Sequence, residues 1–375
     1  MKKLVRFICF VLIASTVMFG LNFYFSTNSD KDGIHIRGYF KEPQNTVDVL
    51  LIGASEVYTG FNSPLAWEKY GFTSYGLSFA AMPGSLYKTV TQRALKTQTP
   101  KLVVFEINGF LSSEKYLIYR RPVHAWFDTV GVDSDGRAFL EKNIPKKEWT
   151  EYYLPFYKYH SNWREPLICS RNVVSRICLN AEGISYSKAF ANTALQRKDS
   201  EIKKKNINFT PKSKEYMAEL LEYCRESGLK NVLFFRAPHC IKNGNPEALE
   251  EIKKLIESYG YSFVNFEDAY DAIGLDTQKD FYNPDHLNIY GMEKFTAFFG
   301  KFICDNYDVK TAHTAETVKA WNKCADIMNK TVEECKNDPD KSIYYELTAY
   351  ETAKGRKHTV LSKVKSENKK NKHSK

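Results

Sequence analysis

The sequence predicts an α/β protein in which helices cover both faces of a parallel sheet, preceded by one membrane-spanning helix. Three observations carry this expectation. Short runs rich in apolar and β-branched residues recur at Val47–Ile52, Phe72–Leu77, Leu102–Ile107, Asn231–Arg236 and Ser262–Asn265, as expected of strands buried on both faces. Segments with helical periodicity lie between them, and this alternation implies parallel strands joined by right-handed crossovers. Ahead of them all stands an uncharged apolar run at the N-terminus.

That run defines the first segment, residues 1–26. Lys2, Lys3 and Arg6 precede Phe7–Phe25, whose 19 residues suffice to cross a bilayer as a helix. The flanking positive charges predict a cytoplasmic N-terminus. A cleavable signal peptide is the rival reading. However, Asn22-Phe23-Tyr24-Phe25 offers no small-x-small cleavage site, and its aromatic residues suit a membrane-interface belt. The expectation is an uncleaved, single-pass anchor with the rest of the chain outside the cytoplasm. Residues 27–46, of mixed charge and containing Gly33, Gly38 and Pro43, read as a connector.

The α/β domain then spans residues 47–310, enough for one core. A helix is expected from about Pro64. Another begins near Ser213, with Tyr216, Leu220, Leu221 and Cys224 on one face and Gly228 as terminator. A third is capped by Asn245, opens on Pro246, turns Leu249, Ile252, Ile256 and Tyr259 inward and stops at Gly260. Residues 111–210 are too long for a simple connection and read as an insertion. It is aromatic, with Tyr116, Tyr119, Trp126, Phe127, Tyr152, Tyr153, Phe156, Tyr157, Tyr159 and Trp163. These suit a small satellite core, or a surface that stacks on sugar rings or closes over an acyl chain. In the extension 311–354, Val318, Trp321, Ala325, Met328 and Val332 form one helix face, expected to pack outside the sheet.

The chain carries a formal charge of +10, and residues 355–375 hold eight Lys/Arg against one Glu. The rest is therefore close to neutral, and the basic tail is expected to be disordered. Outside a membrane its polyanions are teichoic acid, acidic polysaccharide or lipid headgroups rather than nucleic acid; a solvated tail with no partner is the alternative. None of the eight cysteines is at CxxC spacing, and no His/Cys cluster has metal-ligand spacing. Neither metal nor cofactor is expected. Cys169 and Cys178 are the nearest pair for a disulfide, the alternative being that the cysteines are small core residues.

Two motifs point to chemistry. Val49-Leu50-Leu51-Ile52-Gly53-Ala54-Ser55 ends an apolar strand abruptly in small residues, placing Ser55 at the carboxyl edge of an α/β sheet, where such sheets carry their sites. Far downstream, Phe281-Tyr282-Asn283-Pro284-Asp285-His286-Leu287-Asn288 sets a histidine just before a helix. A serine and a distant histidine can serve as nucleophile and base. A tight strand-to-helix turn that needs small residues explains the first motif equally simply.

Ile52-Gly53-Ala54-Ser55 and His286-Leu287-Asn288-Ile289-Tyr290-Gly291, in order and at domain-sized separation, resemble the first and last blocks of the SGNH (GDSL-like) hydrolase superfamily. Pro155-Phe156-Tyr157-Lys158-Tyr159-His160-Ser161-Asn162-Trp163 is similar to a segment of its membrane-anchored bacterial branch, which includes D-alanyl-lipoteichoic acid transfer proteins and O-acetyltransferase-associated cell-surface proteins. The resemblance covers roughly residues 45–305. It implies a three-layer, flavodoxin-like αβα domain with Ser55 as nucleophile and His286 as base. It also implies oxyanion donors from Ser55 N–H, from Gly76 after the second strand and from Asn108 after the third, although glycine and asparagine are also what turns prefer.

The sequence departs from the pattern at the orienting acid. The superfamily has Asp three residues before the histidine, and this chain has Asn283. Three arrangements stay open: a Ser–His dyad, a triad completed by a displaced acid, with Asp285 or Asp280 nearby, and a weakened or inactive enzyme. His160, after the aromatic cluster, and Trp163 are candidates to face substrate, and His239 follows a strand end.

The resemblance implies an envelope esterase or acyltransferase acting on acetyl or D-alanyl groups of cell-envelope glycopolymer or teichoic acid. Transferases of that branch receive the acyl group from a multispanning membrane partner. A non-catalytic binding or assembly protein on the same fold is the alternative, and a free lipase or esterase fits the anchor and tail less well.

Overall fold

The computed structural model describes residues 1–25, 31–164, 166, 169, 170, 173, 185–199 and 201–338. The basic tail, residues 339–354 of the extension and Cys178 lie outside the described residues. Five strands, β1 (Val49–Gly53), β2 (Ser74–Ser78), β3 (Leu102–Glu106), β4 (Val232–Arg236) and β5 (Ser262–Asn265), form one parallel sheet ordered β2-β1-β3-β4-β5. The first four are buried along their whole length.

Their side chains divide with the two-residue period of a strand. Leu50, Ile52, Tyr75, Leu77, Val103, Phe105 and Phe234 enter one core with Leu220, Leu221, Ile252 and Ile256 of the helices Pro211–Glu226 and Pro246–Ser258. Val49, Leu51, Val104, Leu233 and Phe235 enter another, with Ala66 of Ser63–Tyr70 and Phe295, Phe299 and Ile303 of Ile289–Asn306. The expected helix faces and glycine stops are therefore present, Gly260 ending its helix at φ +82°. Asn245 precedes that helix without a side-chain cap bond, and its amide donates to the Ile207 carbonyl at 3.2 Å.

The first two strands start later than the apolar runs suggest. Asp48 and Thr73 face one another there, and the Asp48 carboxylate accepts from both the Thr73 N–H and its hydroxyl at 2.9 Å. These side-chain bonds occupy the polar groups just before the ladder begins. A helix also starts earlier than expected. Ser55–Gly60 leaves β1 directly, and a second helix, Ser63–Tyr70, follows with Asn62 capping the Leu65 N–H at 3.2 Å.

Two expectations need correction. Part of the connector 27–46 is core, because the helix Lys31–Tyr39 buries Ile36 and Tyr39 fully and Tyr75 Oη donates to the His35 carbonyl at 2.8 Å. It thus packs on the edge strand β2, whose backbone edge also meets the Lys188 carbonyl through the Gly76 N–H. The insertion 111–210 is also no satellite in its described part. Trp126, Phe127 and Tyr152 join the core on one face of the sheet, Trp126 stacking on Phe79 at 6.2 Å. Tyr186 and Phe190 pack instead with Met292, Cys324, Met328 and Val332. The last three lie on the helix Ala315–Asn337, which sits outside the sheet as expected, with the Trp67 indole donating to Asn322 at 2.8 Å.

Lys2–Phe25 is long and apolar enough to cross a membrane, and none of that span is buried in the rest of the protein.

Gly53 is where this architecture admits the site. A Cβ there would lie 2.6 Å from Val57 Cγ2 and 2.7 Å from Glu106 Cβ. Gly53→Ala is expected to lower stability by about 1–3 kcal/mol through overpacking, read as a lower midpoint in chemical denaturation.

Candidate active site

β1 delivers Ser55 to the carboxyl edge of the sheet as the first residue of Ser55–Gly60. His286 arrives on a small antiparallel pair, Phe281–Asn283 with His286–Leu287. Two features hold that pair. Leu287 is buried beside Phe281 in the apolar core. Asn288 caps Ile289–Asn306 by accepting from Tyr290 N–H at 3.0 Å and Gly291 N–H at 3.1 Å, while its amide donates to the Lys279 carbonyl at 2.6 Å. Gly291 is required because a Cβ would meet the Asp280 carbonyl oxygen at 2.2 Å.

The structure brings Ser55 Oγ to 2.7 Å from His286 Nε2, across 231 residues of chain. His286 Nδ1 is 2.9 Å from Asn283 Oδ1, and the same oxygen accepts the Asp285 backbone N–H at 2.9 Å. A backbone N–H only donates, so the Asn283 atom facing it is the oxygen. His286 Nδ1 must then carry the proton, which leaves Nε2 bare to accept from the serine hydroxyl. This is the tautomer a general base requires. Tyr282 stacks on the imidazole at 5.4 Å, with 8° between the planes.

Asp285 is not the third member of this arrangement. Its carboxylate pairs with Lys205 Nζ at 2.7 Å, and only its backbone reaches Asn283. Asp280 is committed to Lys294 at 2.6 Å. The orienting position belongs to Asn283.

Beneath the serine lies a buried charged cluster. Glu56 Oε2 is 3.3 Å from Ser55 Oγ, and Glu56 Oε1 is 3.6 Å from His239 Nε2. His239 Nδ1 is 3.1 Å from Glu267, which pairs with Arg236 Nε at 2.9 Å. Burial works to raise the Glu56 carboxyl, but the adjacent His239 and His286 imidazoles hold it well below the usual range. Burial and the Glu56 charge push Glu106 well above that range. Burial opposes protonation of His239, yet the carboxylates of Glu267 and Glu56 raise it. Glu56 and Glu267 thus favour the cationic form of His239 beside the Arg236 guanidinium, and the same surroundings favour the neutral form of Glu106. Lying between these two carboxylates, His239 is part of the site's foundation.

The expected oxyanion donors are engaged elsewhere. Gly76 lies inside β2, paired with Leu51, and its N–H donates to the Lys188 carbonyl at 3.3 Å. After β2, the Ala80 N–H is taken by Asp32 at 3.0 Å. Asn108 is adjacent to the site, but its amide donates to Glu56, its N–H donates to Glu106 at 2.9 Å, and its Oδ1 accepts from Arg236 at 3.2 Å.

His160 and Trp163 are placed at the end of the apolar N-terminal helix. Asn162, between them, donates to the Phe25 carbonyl at 3.0 Å, and the Phe156 N–H donates to Asn22 at 2.7 Å. His160 is exposed and its Nδ1 lies 2.7 Å from the Tyr157 carbonyl. Sequence reasoning missed Glu56, Glu106, Arg236 and Glu267. The available signal was a charged residue ending each of two apolar strands, Leu102–Glu106 and Val232–Arg236. Comparison with family models, with curated proteins and with solved structures finds no match for this chain.

Burial pushes His286 below its ordinary range, opposed by the charges of Glu56 and Asp285. A base must be neutral to act, so reactivity at Ser55 should persist as pH falls below the ordinary histidine value and fail only through this depressed pKa. Asn283→Asp sets an anion against Nδ1 and should move the titration up by about one pH unit or more. Histidine NMR titration, or labelling by a fluorophosphonate as a function of pH, reads the shift.

Proposed function

We propose that this chain is a membrane-anchored, extracytoplasmic serine esterase or acyltransferase of the SGNH kind, acting on acetyl or D-alanyl groups of cell-envelope glycopolymer. The observation that carries this reading is the Ser55–His286–Asn283 relay, with the proton positions its hydrogen bonds require. The strand order β2-β1-β3-β4-β5 is also that of a flavodoxin-like sheet, the arrangement such hydrolases have.

In this reading Ser55 Oγ attacks the acyl carbonyl and His286 Nε2 takes its proton. The C–O bond to the leaving alcohol breaks, and the imidazolium returns the proton to that alcohol. Water or an acceptor hydroxyl then reverses the sequence on the acyl-serine. Asn283 holds the ring without supplying charge. The anion is Glu56, which lies beside the hydroxyl rather than behind the imidazole and favours the cationic ring from there. Ser55 N–H remains the expected oxyanion donor. An N-in anchor keeps the site near the membrane, where a multispanning partner would hand over the acyl group.

One observation favours the second reading, a binding or assembly protein on this scaffold. Gly76 N–H and the Asn108 amide already have partners, which leaves stabilisation of the oxyanion thin.

Ser55→Ala should abolish fluorophosphonate labelling and hydrolysis of aryl acetates. Asp285→Asn should leave both within about twofold, because its carboxylate pairs with the exposed Lys205, whose charge acts on the His286 ring with the opposite sign. Glu56→Gln should slow turnover by about tenfold or more, as expected when a charge acting on the base is removed, and move the acid limb further down. A wild type that neither labels nor releases acyl groups from envelope polymer would leave the binding reading in place.

A further inference from the structure

Outside the N-terminal helix, the large apolar side chains exposed among the described residues are Tyr116, Tyr119, Tyr153, Leu154, Tyr157, Trp163 and Leu195. Four of these seven fall between residues 153 and 163. Trp163 is 63% exposed and Tyr157 60%. The same stretch is held firmly from behind. Tyr152 is buried and stacks on His124 at 4.1 Å, and Tyr159 Oη donates to Asp128 at 2.7 Å. Its exposed aromatics are therefore presented by a fixed backbone.

The position of this stretch says what covers it. Lys2–Phe25 has 24 residues, about 36 Å at the helical rise, which exceeds a hydrocarbon core of about 30 Å. Its last turn therefore reaches the headgroup layer. Residues 156–162 are tied to that turn by Phe156 N–H to Asn22, by Asn162 to the Phe25 carbonyl, and by the Phe25 and Phe156 rings at 5.6 Å. Aromatic rings with polar edges are the side chains that settle at this depth. A cation attends the most exposed ring of the stretch, Arg164 lying 5.5 Å from Trp163, as suits an anionic headgroup surface.

We propose that residues 153–164 form a foot that seats the folded domain in the headgroup layer of the bilayer. The foot fixes the height and tilt of the domain, so that the sheet edge bearing Ser55 is held at a set distance from the membrane rather than swinging on a tether. This inference goes beyond the proposed chemistry. It rests on Lys2–Phe25 spanning a membrane and is independent of whether Ser55 is a nucleophile.

The test uses the full chain in phosphatidylcholine–phosphatidylglycerol vesicles whose acyl chains carry bromine near the carbonyl end. Trp163 is one of five tryptophans, so its emission is taken as the difference between wild type and Trp163→Phe. The expected result is a Trp163 component quenched strongly by the brominated lipid and weakly by aqueous iodide. Alkaline carbonate extraction of the same vesicles is run in parallel. Quenching by iodide alone, in protein that resists extraction, overturns the foot and leaves the anchor standing. Release of the protein by carbonate overturns the anchor, and the foot with it.

Discussion

The Oδ1 atom of Asn283 accepts two hydrogen bonds, one from the Asp285 backbone and one from the His286 ring, each at 2.9 Å. The first bond leaves the side-chain amide no freedom to turn, and the second then decides which imidazole nitrogen is protonated. Because Nδ1 is protonated, Nε2 can accept the Ser55 proton. An aspartate here would hold the same tautomer while adding charge. Asparagine separates the two functions, keeping orientation and leaving out the anion.

The missing charge has a counterpart on the other side of the serine. Taking ionised groups from water costs several kcal/mol each, and removing one partner of a buried pair typically costs about 3–5 kcal/mol. The cluster under Ser55 meets that cost by alternating signs: Glu56, His239, Glu267 and Arg236 follow one another at contacts of 2.9–3.6 Å. Burial and the Glu56 charge favour the protonated form of Glu106, which lowers that cost. The amide of Asn108 ties the cluster to the loop after β3. The floor of the site is therefore one connected electrostatic unit, and Glu56 presents one face of it to the Ser55 hydroxyl. The same connection explains why Asn108 does not turn toward an oxyanion.

The outer parts of the chain brace this centre. Lys31–Tyr39 packs on the edge strand β2, and the buried Glu42–Lys188 pair, at 2.7 Å, fastens the following residues to the segment that also receives the Gly76 N–H. Lys188 lies 4.6 Å from the Trp321 ring, so the C-terminal helix is joined to the same knot. The stretch 153–164 turns Tyr153, Tyr157 and Trp163 outward, next to the end of the apolar N-terminal helix.

The sheet was legible because each strand is a short apolar run and each crossover helix carries its own period and stop signals, as at Leu249, Ile252 and Ile256 before Gly260. The pairing of Ser55 with His286 was legible as two small motifs at strand and helix ends. Local patterns of this kind report burial and turn chemistry, which depend on neighbours in sequence. What they do not report is the direction of a polar side chain once the chain has closed on itself. Only the tertiary structure decided that Asp285 turns to Lys205, that Asn108 turns to Glu56, that the Gly76 N–H is taken by the Lys188 carbonyl, and that His160 and Trp163 sit at the end of the membrane-length helix. Each of these outcomes depends on a partner at least 50 residues away in sequence. The buried charges were hidden for the same reason: Glu106 and Arg236 read as strand ends, and only their convergence under Ser55 shows what they hold in place.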